Sequence, residues 1–262
     1  MSVRSLRPFL DRPTGLGDNA DEVPYPAPVV NVTGLRKTFG ATRVLEEVTF
    51  ELREKECLVL FGANGAGKTT LLKLLATLLR PSAGTIHVAG FDATREPDRV
   101  RRLVGFLGHS TYLYEDLTAS ENLRFWATLM GLPLTASRLD EALARVELEG
   151  VAYERVRSFS SGMKRRLALA RVLLATPRVL LLDEPLAALD QRGKKWLEEV
   201  LLGFKERGGV VLMATHSFGR GLSIGDRIAI LAGGRIILDR PGADLSVDEL
   251  RRLYAFYTEE VG

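Results

Sequence analysis

The sequence predicts an α/β fold with a largely parallel core sheet, and three observations carry that prediction. Short, nearly continuous apolar runs ("CLVLF" at 57–61, "VLLLD" at 179–183, "VVLMA" at 210–214) are of the kind buried on both faces of a sheet. Stretches with leucines at helical spacing separate them. Parallel strands need such helical crossovers, whereas antiparallel strands can be joined by tight turns. The 262 residues accommodate one large domain or two intimate ones.

Along the chain, residues 1–28 differ from the rest. Pro8, Pro13, Pro24, Pro26 and Pro28 crowd there, which predicts an extended N-terminal arm. "VVNVTGLRKTF" and "RVLEEVTFEL" then alternate apolar and polar residues, the pattern of half-buried strands in a small antiparallel sheet. "CLVLFG" is a buried strand ending in a glycine-rich turn. "KTTLLKLLATLL" has helical spacing and is expected to run to Pro81. "GTIHVAG" is another short strand. From 97 to 175 the pattern becomes helical, in "TASENLRFWATLMG", "TASRLDEALARVEL" and "SGMKRRLALARVLLA". Thr118 and Glu121 have the spacing of a capping box. After the strand ending at Asp183 come a helix over 191–207, the strand "GVVLMAT", a hairpin turning at Gly233 and Gly234, and a last helix from Ser246. The resulting division is an arm (1–28), a core with its β-subdomain (29–96 and 176–240), an inserted helical subdomain (97–175) and a C-terminal helix (241–262).

Composition removes several function classes. Hydrophobic residues make up 46 % and charged residues 26 %, which excludes collagen, an acidic disordered tail and a disulfide miniprotein. The single cysteine, Cys57, excludes an internal disulfide and any multi-cysteine metal site. No apolar run approaches the ~20 residues of a membrane span, and the first thirty residues lack the apolar core of a signal peptide. Work at a membrane would therefore need another chain. The charge balance, 36 − 33 = +3, is too mild to expect direct nucleic-acid binding.

The strongest motif is Gly62-Ala63-Asn64-Gly65-Ala66-Gly67-Lys68-Thr69, followed by Thr70, which fits G-x-x-x-x-G-K-[ST]. Glycines let the chain curl so that successive N–H groups face a phosphate, and the next helix adds its N-terminus. In that arrangement Lys68 neutralises terminal phosphates and the Thr69 hydroxyl is placed to ligate Mg²⁺. Asp183 and Glu184 end a buried strand, where α/β sheets bind ligands. Asp183 is expected to hold Mg²⁺, and Glu184 to orient or deprotonate the attacking water.

With these motifs in order, the chain resembles the ATP-binding subunits of ABC transporters over 29–239. "GANGAGKTT" has the family's loop form, and Ser160-Ser161-Gly162-Met163 stands where its signature L-S-G-G-Q occurs. Ala188-Leu189-Asp190 matches the D-loop, His216 the switch histidine, and Phe39 the aromatic that stacks on adenine. The resemblance implies a P-loop NTPase fold with a RecA-like parallel core sheet, and Mg²⁺-dependent ATP hydrolysis. It also implies a homodimer in which Ser160, Ser161 and Gly162 of one copy cap the ATP held by the other. A separate transmembrane permease at the cytoplasmic face of the cell membrane would be the partner. A histidine, His109, replaces the usual glutamine before the helical block and is a candidate metal contact. Met163 and Ser161 replace a glutamine and a glycine of the signature, which bears on the strength of dimer closure.

"GHSTYLYEDLTASENLRFW" with "FSSGMKRRLALARVLLA" further resembles the heme-exporter ATPases of cytochrome c biogenesis, while small exporter ATPases for drugs, lipids or peptides share much of it. The aromatic and acidic segment 109–116, with Tyr112 and Tyr114, is the expected permease-facing surface. Two other readings remain. One is a soluble ABC-type ATPase acting on nucleic acid or the ribosome, disfavoured by the single cassette and mild charge. The other is a module that holds ATP without turnover, disfavoured by the presence of Glu184 and His216. His87, on a strand away from the motifs, reads as structural.

Overall fold

The computed structural model describes residues 27–259. The proline-rich arm expected over 1–28 lies almost entirely outside the described residues. Two sheets organise the rest. Strands β1 (Val30–Phe39), β2 (Thr42–Leu52), β4 (Ala83–Val88) and β5 (Phe91–Asp92) form an antiparallel sheet in the order β2-β1-β4-β5. Strands β3 (Cys57–Phe61), β6 (Val104–Leu107), β7 (Val179–Asp183), β8 (Val210–Ala214), β9 (Arg227–Ala232) and β10 (Arg235–Pro241) form the core sheet in the order β10-β9-β3-β8-β7-β6. All of its pairings are parallel except the β9–β10 hairpin. That hairpin turns at Gly233 (φ 54°) and Gly234 (φ 73°), as the paired glycines predict.

The helices are α1 (Lys68–Leu75), α2 (Pro97–Leu103), α3 (Ala119–Leu129), α4 (Ala136–Arg145), α5 (Ser161–Leu174), α6 (Gln191–Glu206), α7 (Phe218–Ile224) and α8 (Val247–Glu259). The capping box forms: Thr118 accepts from the Glu121 N–H at 3.2 Å and the Glu121 carboxylate accepts from the Thr118 N–H at 2.8 Å. Three local expectations are corrected. α1 stops at Leu75, well before Pro81, because Thr77 takes a left-handed φ of 57° and the Leu78 N–H turns back to the Lys73 carbonyl. β6 lies inside the stretch 97–175, yet it pairs with β7 in the core sheet, so that stretch contributes a core strand between α2 and α3. α7 follows β8 unannounced, since Gly219 and Gly221 obscure its pattern; a Cβ on Gly221 would sit 2.5 Å from the Phe61 ring.

Every residue of β3, β7 and β8 is buried, as their apolar runs require. Alternate side chains of β3 enter opposite layers. Cys57, Val59 and Phe61 join the helical block, while Leu58 and Leu60 meet α1 and the antiparallel sheet. Each such leucine contributes about 2 kcal/mol through burial. Cys57 is fully buried, its N–H donates to the Asp226 carboxylate at 2.7 Å, and burial pushes its thiol up to about 12. The folded protein is therefore expected to react with a water-soluble disulfide reagent about a hundredfold more slowly than the denatured chain at pH 8. Labelling at equal rates would show that β3 opens readily.

Candidate functional site

The site forms at the C-terminal edge of the core sheet, where β3, β7 and β8 end side by side. The loop after β3 curls through Gly65 (φ 84°) and Gly67 (φ 106°). Gly67 is also a close approach: a Cβ there would lie 2.7 Å from Leu45 and 3.0 Å from the Val44 carbonyl. The loop is thereby pressed against β2. Lys68 opens α1 and is only 7 % exposed. Its Nζ donates to the Gly62 carbonyl at 2.6 Å and the Ala63 carbonyl at 3.1 Å. Burial lowers its pKa, and the charges of Glu184 and Asp183 oppose that shift. Ala63 and Ala66 are joined by a backbone hydrogen bond of 3.2 Å, and Asn64, Gly65 and Thr69 face solvent. Thr70 is half-buried beside them on α1.

The Thr69 hydroxyl donates to Asp183 Oδ2 at 2.8 Å. Two oxygens from motifs 114 residues apart thus converge, a pair able to hold a metal ion. Beyond them, Glu184 adopts φ 48°, a left-handed backbone unusual for a residue with a Cβ. Its N–H donates to the Ala214 carbonyl at 2.9 Å. Its carboxylate receives the His216 N–H at 3.3 Å and lies 3.2 Å from His216 Nε2. The carboxylate is thereby held beside His216, its Oε1 buried without a hydrogen-bond partner among the described residues, and its charge is felt at Lys68.

The remaining expected residues fall into three places. Phe39 is 45 % exposed at the turn end of the β1–β2 hairpin, paired with Thr42, and Lys37 Nζ stands 4.7 Å above its ring. Val44 and Leu45 of β2 touch Gly67, so the ring stands on β1, the neighbour of the strand that walls the loop. Ser160 caps α5, accepting from the Met163 N–H at 3.2 Å, and Ser161 is exposed beside it. Gly162 faces the Ala188 carbonyl, with 3.3 Å left for a Cβ. Among the described residues, no hydrogen bond joins Ser160, Ser161 or Gly162 to the loop at 62–70. Asp190 caps α6 through the Gly193 N–H at 2.7 Å, a structural duty additional to the expected one.

His109 is not drawn into the Thr69–Asp183 pair. Its side chain is exposed and makes no hydrogen bond or ion pair with Thr69, Asp183 or Glu184. Only its carbonyl points inward, 3.5 Å from Arg165 Nη1. His87 pairs across strands with Asn31 and Asp92 in the antiparallel sheet. Sequence reasoning misses Arg165, which is buried at the centre of the site and bonds to the Asp183 and Glu184 carbonyls. A charged residue in line with the buried Ala168, Leu169 and Val172 of the same helix is the available signal.

Comparison with known proteins fits this geometry. The family model described as "ABC transporter" matches residues 45–187. The chain belongs to the ABC transporter family. It is the ATP-binding, ATP-hydrolysing cassette of such a transporter. The daunorubicin resistance ATP-binding protein DrrA3 of Streptomyces coeruleorubidus is 37 % identical over 224 residues, covering 85 % of this chain and 69 % of that protein. A solved ATP-binding subunit of an ABC transporter superposes with TM-score 0.75 at 30 % identity, covering 87 % of this chain and 94 % of that one. A dimeric post-hydrolysis state of the cassette MJ0796, bound to ADP and Pi, superposes with TM-score 0.71 at 26 % identity, covering 81 % and 98 %. The P-loop NTPase fold is thus as the resemblance implied. Heme export and cytochrome c biogenesis gain no support, since DrrA3 is a drug-resistance protein. No helix among the described residues is long and apolar enough to cross a membrane.

Proposed function

We propose that this cassette powers export of an amphipathic compound, by closing as a Mg²⁺–ATP-loaded dimer beneath a separate membrane permease. One observation carries the reading. Lys68, Thr69, Asp183, Glu184 and His216 assemble at one sheet edge, while Ser160, Ser161 and Gly162, at the start of a 14-residue helix, make no hydrogen bond among the described residues to the loop at 62–70. A helix N-terminus of that length attracts anions. A second copy is what brings it to the phosphates, and two-fold symmetry then completes two sites at once.

The residues present fit Mg²⁺. Thr69 and Asp183 offer one hydroxyl and one carboxylate, and Mg²⁺ takes few protein oxygens and completes its shell with water and phosphate. Among the described residues no cluster of three His, Cys, Asp or Glu side chains competes for a metal. The bound ion would neutralise charge between the terminal phosphates. The loop N–H groups and Lys68 bind those phosphates, Phe39 stacks on the base, and Glu184 takes the proton of the attacking water with His216 fixing its carboxylate. Asp190 helps hold the facing copy.

The cargo class follows the daunorubicin resistance of the relative DrrA3. The permease surface is the segment 109–116, where Tyr112 is 61 % and Tyr114 49 % exposed. Phe125 packs edge-on against Tyr114, and the nearby end of α3 leaves Leu129 and Met130 exposed. Exposed aromatic anchors of this kind dominate association energies. The Tyr112→Ala, Tyr114→Ala double variant is expected to weaken permease capture more than about tenfold, with its own ATPase rate within about twofold. Joint loss of both would mean that the loop serves the fold. The functional reading itself is tested by trapping Glu184→Gln with ATP and Mg²⁺ in mild-detergent membrane extracts. Co-purification of a polytopic membrane protein, with lowered daunorubicin accumulation in cells expressing the pair, supports it. Ribosomal or nucleic-acid partners alone overturn it.

A further inference from the structure

Arg165 lies on α5, five residues beyond the Ser160 cap, and is 7 % exposed. Its Nη2 donates to the Asp183 carbonyl at 2.6 Å and the Glu184 carbonyl at 3.0 Å. Its Nη1 donates to the Gly108 carbonyl at 2.6 Å. No carboxylate forms an ion pair with it among the described residues, and its Nε has no partner. Burial lowers its pKa, opposed by the charges of Asp183 and Glu184. A guanidinium buried on carbonyls alone is costly, and an apolar side chain in line with Ala168, Leu169 and Val172 would serve stability better. Glu184 meanwhile holds a left-handed φ of 48°, a conformation that persists only where its surroundings over-determine it.

These two anomalies explain each other. The Glu184 N–H is fixed by the Ala214 carbonyl, and its side chain by His216. Its carbonyl has Arg165. We propose that Arg165 is a positioning residue that clamps the peptide of Glu184 in its strained conformation, and so aims the carboxylate, while anchoring the root of the 109–116 loop through Gly108. α5 reaches the same loop a second time. Arg171 stands 5.8 Å from the Tyr112 ring and 4.5 Å from that of Trp126. One helix therefore begins with the exposed Ser160 cap, holds the catalytic corner in its middle and touches the permease-facing aromatics near its end. The inference rests on ATP hydrolysis by the family, and not on the cargo or the permease.

The test uses the full chain with Arg165→Gln and Arg165→Lys. Arg165→Gln is expected to lower kcat about a hundredfold, as small misplacements of a catalytic group do, with KM and the Kd for ATP within about threefold. Arg165→Lys recovers part of the rate, because an ammonium reaches some of these carbonyls. Adding Arg165→Gln to Glu184→Gln is expected to cause no further loss in single-turnover hydrolysis, because the clamp then has no carboxylate to aim. The proposal is overturned by a kcat within about twofold of wild type in Arg165→Gln. It is equally overturned by a fully additive loss on Glu184→Gln, or by a rate loss accounted for by weaker ATP binding. If Arg165→Gln shows no cooperative melting, the same comparisons are made with Arg165→Lys, singly and on Glu184→Gln, with the same deciding outcomes.

Discussion

Lys68→Met is expected to leave the fold intact and to weaken ATP binding about a hundredfold, or roughly 3 kcal/mol. The asymmetry follows from where the ammonium sits. It is buried, and its hydrogen bonds go to the Gly62 and Ala63 carbonyls of its own loop. Methionine keeps the stem in contact with its neighbours and removes a charge whose burial is costly, so the loss of two hydrogen bonds and the relief of desolvation offset each other. Phosphate has no such substitute for the charge. At ATP one hundred times the wild-type Kd, ligand binding stabilises wild type by about 2.7 kcal/mol and the variant by about 0.4 kcal/mol. Melting curves with and without ATP read this directly, and an equal ATP shift in both proteins would remove Lys68 from the site. A pH series gives a second check. Folding lowers the pKa of Lys68, so the unfolded chain binds more protons in the window just below the ordinary lysine value. The nucleotide-free wild type therefore gains stability relative to Lys68→Met as pH rises through that window.

The parts of this site that are legible in the sequence are those encoded by neighbours. The loop needs glycines at fixed spacing, and Gly65 and Gly67 do take positive φ values. The buried strands declare themselves by apolar runs, and the Thr118–Glu121 box by its spacing. The site's assembly is legible only through the order of motifs, because the pairing of β3 with β8, and of β8 with β7, joins strands far apart in sequence. What is lost shares one cause: the deciding contact is non-local. β6 is short and belongs to the core sheet only through β7. α7 is disguised by Gly221, which is there because Phe61 leaves no room for a side chain. His109 matches a family position in sequence, yet its backbone turns the imidazole to solvent while the carbonyls of Gly108 and His109 face Arg165. Arg165 itself reads as one of several basic residues on a helix until the carbonyls it serves are known. Ser160 and Asp190 have a plain helix-cap reading as well as the family one, and the structure shows both caps formed.

Glu184→Gln is expected to retain ATP binding and to slow phosphate release by about 10²–10⁴-fold, the range for loss of a general base. The substitution is nearly isosteric. The glutamine carbonyl can still accept the His216 N–H, which reaches the carboxylate at 3.3 Å, and the backbone bond from residue 184 to Ala214 is untouched. What disappears is the basic oxygen that can receive a proton from the attacking water. A nucleotide-bound form should therefore accumulate, visible as ATP that stays with the protein through gel filtration. Wild-type rates of phosphate release in Glu184→Gln would mean that the proton leaves by another route and that the strained backbone at 184 serves structure alone. His216→Ala separates the remaining alternative. Its imidazole lies 3.2 Å from Glu184 Oε1 and is half exposed, which suits a residue that orients the carboxylate. Loss of orientation costs less than loss of the base, so His216→Ala should slow turnover by about tenfold to a hundredfold, and less than Glu184→Gln does. The reverse ranking would move the essential proton acceptor from the carboxylate to the imidazole, with Glu184 then serving to hold the histidine in place.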